Sequence, residues 1–73
     1  MRMRVEKLVL TLREIGGGNN TTYLLNKAGI GNAMEYLKFL KRFNLVEQYE
    51  DGRRKPYRIL ENGKLFLKMF ESL

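Results

Sequence analysis

The chain has no cysteine, no histidine and no tryptophan, and only one proline among its 73 residues. Without cysteine it cannot form disulfides, thiolate metal sites or a cysteine nucleophile, and nothing marks an oxidising compartment. Without histidine, zinc has no usual ligand set and general base catalysis loses its commonest side chain. The only serine is Ser72 near the end of the chain, and the eight carboxylates are scattered among basic residues. No enzyme, metal or cofactor is expected from this inventory. No unbroken apolar run exceeds three residues, as at Leu8–Leu10, which is far short of a bilayer span. Met1-Arg2-Met3-Arg4 is not followed by the apolar stretch of a signal peptide, so the expected setting is cytoplasmic, with no membrane partner.

Positive charge is abundant. Fourteen Lys and Arg against eight Asp and Glu leave a net charge of +6, large for so small a surface, and the expected partner is polyanionic. Two stretches concentrate it: Lys38, Lys41 and Arg42, and then Arg53, Arg54, Lys55 and Arg58. The length sets one domain, 1–73, with a small core, because a chain of this size buries only about 60 to 65% of its unfolded surface. Association with a partner is therefore an expected source of added stability.

Apolar residues recur at Val5, Leu8, Val9, Leu12 and Ile15, a helical spacing that predicts a first helix over Met3–Ile15. Met3 and Leu10 fall on its opposite side. Gly16-Gly17-Gly18 ends that helix; it follows a helix and lacks the spacing of a phosphate-binding loop, so it reads as a connector. Asn19, Asn20, Thr21 and Thr22 supply N-cap side chains for a short second helix that carries Leu24, Leu25 and Ala28 inward. Gly29 then makes a tight turn, with Ile30 filling the angle before a third helix over about Gly31–Phe43.

On the third helix, Ala33, Tyr36, Leu37, Phe39, Leu40 and Phe43 cover an inner arc of roughly 160°. Met34, Glu35, Lys38, Lys41 and Arg42 lie opposite. Residues 45–50 and 57–60 have strand character around the turn signal Asp51-Gly52. Two registers are open. A two-residue Asp51-Gly52 turn pairs Val46 with Tyr57, and a longer loop pairs Leu45 with Ile59 and Glu47 with Tyr57; the second is preferred because it joins two aliphatic residues facing the core. A last helix over Glu61–Ser72 spreads Leu65, Phe66, Leu67, Met69, Phe70 and Leu73 over an arc near 200°, about twice the stripe one core requires. With Met3 and Leu10 it implies a second neighbour, for which a homodimer through the N- and C-terminal helices is preferred over a monomer. The dimer-interface candidates are Met3, Leu10, Phe66, Leu67, Phe70 and Leu73.

The order of these segments resembles the winged helix-turn-helix superfamily, most closely its minimal archaeal and archaeal-virus DNA-binding members, over nearly the whole chain. The motif-bearing residues are Tyr36-Leu37, Leu40, Asn44-Leu45-Val46-Glu47 and Tyr57-Arg58-Ile59-Leu60-Glu61-Asn62-Gly63-Lys64-Leu65-Phe66-Leu67. The chain departs from the family in three places. Asn44 stands where glycine is usual, a position asparagine tolerates; Leu60 replaces the usual Ser or Thr cap, at about 1 kcal/mol; and the turn before the third helix is about two residues shorter than in common members.

The resemblance implies an α+β winged helix-turn-helix fold: three helices, a two-stranded β-hairpin wing and a C-terminal helix, in the order α1-α2-α3-β-β-α4. It implies double-stranded DNA as partner, with the third helix in the major groove and the hairpin on the backbone or in the minor groove. Asn32, Met34, Glu35 and Lys38 are then the base-edge candidates. Asn32 suits adenine, Met34 a thymine methyl and Glu35 cytosine, while an ordinary N-cap remains the equal alternative for Asn32. Lys41, Arg42, Arg53, Arg54 and Lys55 are the phosphate candidates. The expected function is sequence-specific transcription regulation in the cytoplasm, associated with the nucleoid, with no small-molecule ligand. A protein-interaction module and a non-specific chromosome-binding protein are the alternatives.

Overall fold

A computed structural model describes residues 3–72 of the chain. Its elements run α1 (Val5–Gly16), α2 (Thr22–Lys27), α3 (Ala33–Arg42), β1 (Val46–Gln48), β2 (Tyr57–Ile59) and α4 (Glu61–Glu71), the α+β order expected. The two strands form one antiparallel ribbon.

Each of the first three helices stops in the same way. The backbone N–H two residues beyond the C-cap donates to the carbonyl five residues earlier: Asn19 to Glu14 at 2.9 Å, Ile30 to Leu25 at 2.9 Å and Leu45 to Leu40 at 2.8 Å. The residue between takes a left-handed backbone in all three, Gly18 (φ 105), Gly29 (φ 98) and Asn44 (φ 59). Asn44 thus does the work expected of the usual glycine. In the second and third stops the residue that follows, Ile30 or Leu45, packs with the core cluster. The helix end and the core are made by the same turn.

That core gathers Leu8, Leu12 and Ile15 of α1, Leu25, Ile30, the α3 residues Ala33, Tyr36, Leu37 and Leu40, and Val46 and Tyr57 of the ribbon. The buried hydroxyl of Thr11 is satisfied within α1 by donating to the Lys7 carbonyl at 2.6 Å. The second edge of the ribbon is also engaged, because the Tyr57 N–H donates to the Asn20 carbonyl at 2.7 Å. Thr21 caps α2, its hydroxyl accepting from the Leu24 N–H at 3.2 Å. Leu60 heads α4 without a side-chain cap, as its apolar side chain requires.

Several sequence expectations need correction. The ribbon pairs Val46 with Ile59, Glu47 with Arg58 and Gln48 with Tyr57, one residue away from the preferred longer-loop register and two away from that of the Asp51-Gly52 turn. The reason lies at both ends. Leu45 is already engaged in the α3 stop and accepts from the Leu60 N–H at 3.0 Å, so Val46 is the residue that drops into the core. At the other end Asp51 and Arg54 exchange two backbone bonds of 3.0 Å around a Gly52-Arg53 turn. Gly52 has φ 65 and Arg53 does not share the positive sign, the pattern of turns with glycine at the first central position.

Ala28, Val5 and Phe43 were expected inward and are exposed, each lying at or beyond a helix end where the wheel no longer holds. Met3 was assigned to the outer side of the first helix. That helix begins only at Val5, and Met3 instead packs against the core.

Candidate nucleic-acid interface

The α2–Gly29–Ile30 turn and the buried side of α3 fix which way α3 faces. With Ala33, Tyr36, Leu37 and Leu40 buried, Met34, Glu35, Lys38, Lys41 and Arg42 are all exposed and occupy roughly 120° of the helix at 100° per residue. These five form one outer side, as expected. Asn32 stands at the N-cap of α3 but adopts a left-handed backbone, φ 60 and ψ 35, and its side chain makes no cap hydrogen bond. The ordinary N-cap alternative for Asn32 is thereby corrected: its carbonyl accepts from Glu35 and Tyr36 N–H at 3.0 and 3.3 Å, while its amide is left exposed. Asparagine suits this site because its side chain tolerates left-handed geometry.

The second cationic group sits at the ribbon tip. Arg53 lies inside the turn, Arg54 closes it, and Lys55 follows with its carbonyl accepting from Gln48 Nε2 at 3.0 Å. All three side chains are exposed. Among the described residues there are three salt bridges, Arg13–Glu71 at 3.6 Å, Arg58–Glu47 at 2.5 Å and Lys64–Glu61 at 4.0 Å. None involves Lys38, Lys41, Arg42, Arg53, Arg54 or Lys55. The outer side of α3 and the ribbon tip therefore carry six cations without an ion-pair partner among the described residues.

Comparison of the chain with protein-family models, curated proteins and solved structures returned no match.

Sequence spacing does not reveal the neighbours that α1 brings to the start of α3. The Arg4 N–H donates to Tyr36 Oη at 3.3 Å, and Lys7 Nζ lies 5.4 Å from the centre of the Tyr36 ring. Lys7 Nζ also lies 3.2 Å from where a β-carbon on Gly31, just ahead of Asn32, would sit. It is thus a further cation beside the base-edge candidates, visible only once α1 and α3 are packed together.

The interface candidates for a second copy are distributed differently from expectation. Leu10 is exposed at 46%. Phe66 and Leu67 pack against the chain's own core with Met3, and Phe70 is half-buried with its ring 5.2 Å from that of Phe66. Leu73 lies outside the described residues. The apolar side chains that α4 does offer to solvent are Leu65 at 56% and Met69 at 68%, one turn apart. An arc of 200° holds both sets, and the wheel alone does not tell which half faces inward. The close seat of Gly63 against Leu45, just ahead of β1, and Ile59 of β2 sets that phase.

Among the described residues no enclosed pocket and no cluster of potential metal ligands is found, and no helix is long and apolar enough to cross a membrane. The Ser72 hydroxyl donates to the Met69 carbonyl at 3.0 Å.

Proposed function

We propose that the chain binds double-stranded DNA sequence-specifically as a small transcription regulator in the cytoplasm, with α3 in the major groove and the ribbon tip on the backbone or in the minor groove. The observation that carries this reading is the set of six cations on the outer side of α3 and at the ribbon tip, none held by a carboxylate among the described residues. Unpaired surface cations are free to displace counterions from phosphates, and that release supplies a large share of the affinity for a duplex. Lys38, Lys41 and Arg42 flank the outer residues Met34 and Glu35 on α3, so a phosphate-anchored helix would present those residues and Asn32 to base edges. The lack of histidine and cysteine, and a lone serine turned onto its own helix, favour binding over catalysis.

The partner state we propose is a homodimer joined through α1 and α4, with Leu10, Leu65 and Met69 as its apolar part. These exposed side chains also favour a second reading, a protein-docking module. Selection of binding sites from random duplex DNA, together with the mass of the protein in solution, tests both. A consensus with two related half-sites and a dimeric mass is the expected result. Affinity should fall steeply with salt, with a log–log slope of at most about −5 per subunit if all six cations meet phosphates at roughly −0.9 each. A flat salt dependence with no enriched sequence would end the DNA reading in favour of docking. Enrichment of nothing despite strong, salt-sensitive binding would leave a non-specific chromosome-coating role.

A further inference from the structure

Arg58 belongs by sequence to the basic run 53–58, yet it is drawn into the ribbon. It stands directly opposite Glu47, its Nε donates to Glu47 Oε1 at 2.5 Å, and its guanidinium carbon lies 4.5 Å from the centre of the Tyr49 ring. Tyr49 follows β1 directly, two residues on from Glu47, with its N–H still bonded across the hairpin to Pro56, and Arg58 faces Glu47 across the register, so the three share the outer side of the ribbon. The opposite side carries Val46 and Tyr57 into the core.

Beyond this layer the ribbon is anchored by the buried Pro56 and by the Gln48 Nε2 bond to the Lys55 carbonyl, and residues 50–55 are exposed. Among the described residues, the backbone bonds of residues 49–56 all close within the hairpin: Tyr49 to Pro56 at 2.9 Å, and the Asp51–Arg54 pair. A two-stranded ribbon on its own is marginally stable. An arginine clamped between a carboxylate and an aromatic face, at the base of the free part, stiffens it where stiffness sets the direction of the tip.

We propose that Arg58 is a positioning residue: its charge is paired with Glu47 on the exposed outer side of the ribbon, and its stacking on Tyr49 sets the angle at which Arg53, Arg54 and Lys55 meet a phosphate backbone. The proposal rests on the reading of the tip as a phosphate-binding element. It separates Arg58 from its three neighbours in the basic run, which contact the anion themselves.

Three proteins test it: the unaltered chain, Glu47→Gln with Arg58→Gln, which keeps the net charge at +6, and Arg54→Gln. Each is measured for affinity to one duplex across a salt series and for hydrogen exchange at the Tyr49, Asp51 and Arg54 amides. The double variant should bind roughly two- to fivefold more weakly, with an unchanged salt slope and faster exchange at those amides. Arg54→Gln should flatten the slope by about 0.9 and leave exchange as it was. A slope flattened by a full contact in the double variant would make Arg58 a phosphate ligand and overturn the proposal. Unchanged affinity and exchange would overturn it too, by showing the clamp to be idle. If the unaltered chain fails to bind the duplex, the DNA reading falls instead, and the exchange rates still show whether the clamp stiffens the ribbon.

Discussion

The α-carbon of Gly63 lies so close to the carbonyl oxygen of Leu45 that no β-carbon fits between them. One built there would overlap that oxygen and come within 2.7 Å of Ile59 Cγ2. This contact seats α4 on the ribbon at the point where α3 hands over to β1, and it sets which half of α4 faces inward. Gly63→Ala should therefore lower stability by at least about 1 to 3 kcal/mol, the range for an overpacked core. The neighbouring exposed Asn62→Ala should stay within about 0.5 kcal/mol. Denaturant midpoints decide it; equal midpoints for the two variants would refute the seating role of Gly63.

Asn32 offers a cleaner test of base reading than an alanine scan gives. Because its backbone is left-handed, Asn32→Ala combines side-chain loss with strain of about 1 to 2 kcal/mol. Asn32→Gly removes the amide and keeps the turn. Asn32→Gly is expected to leave the thermal midpoint nearly unchanged while relaxing preference at a single base step of the selected site. Unaltered preference would remove Asn32 from the base-edge set.

Replacing Arg53, Arg54 and Lys55 together by alanine should weaken binding to all duplexes alike. Three lost phosphate contacts flatten the salt slope by roughly 2.7 per subunit, at about 0.9 each. A change confined to the cognate sequence would mean that the tip reads bases.

Leu65→Glu with Met69→Glu introduces two like charges on the exposed turn of α4 without touching its buried half. Sedimentation should show a dimer before the change and a monomer after it, with little loss of monomer stability. A dimer that survives would move the interface elsewhere.

Burial pushes the Tyr57 phenol above its ordinary value of 10.0. The folded state then holds this proton more tightly than the unfolded chain, so stability from this group is complete below pH 10 and is lost as pH rises through the raised value. Unfolding free energy measured across that alkaline range should fall more steeply for the unaltered chain than for Tyr57→Phe. Parallel curves would show that the phenol is not responsible.

Much of the fold was legible because its signals are local. Helical spacing of apolar residues, glycine or asparagine at each helix stop and a β-turn signal between two strand-like runs depend on neighbours a few positions apart. The ribbon register was missed by one residue because it is decided by Leu45, whose N–H and carbonyl are claimed by Leu40 and Leu60, a competition that no strand pattern displays. The inner half of α4 was missed for a similar reason. Its apolar arc exceeds one stripe, so only the packing of Gly63 selects the half that turns inward. On α3 the exposed side is the one expected, since a single apolar stripe leaves one outer side.

The sequence by itself determined the kinds and order of elements, the excess of positive charge and the outer residues of α3, because periodicity and turn chemistry act within a few residues. Tertiary structure alone decided that Lys7 joins the start of α3, that Leu65 and Met69 rather than Phe66 and Leu67 meet solvent, and that Arg58 is clamped while Arg53, Arg54 and Lys55 stay unpaired. Those outcomes follow from contacts between residues far apart in the chain, whose geometry exists only when the helices and the ribbon close on a common core.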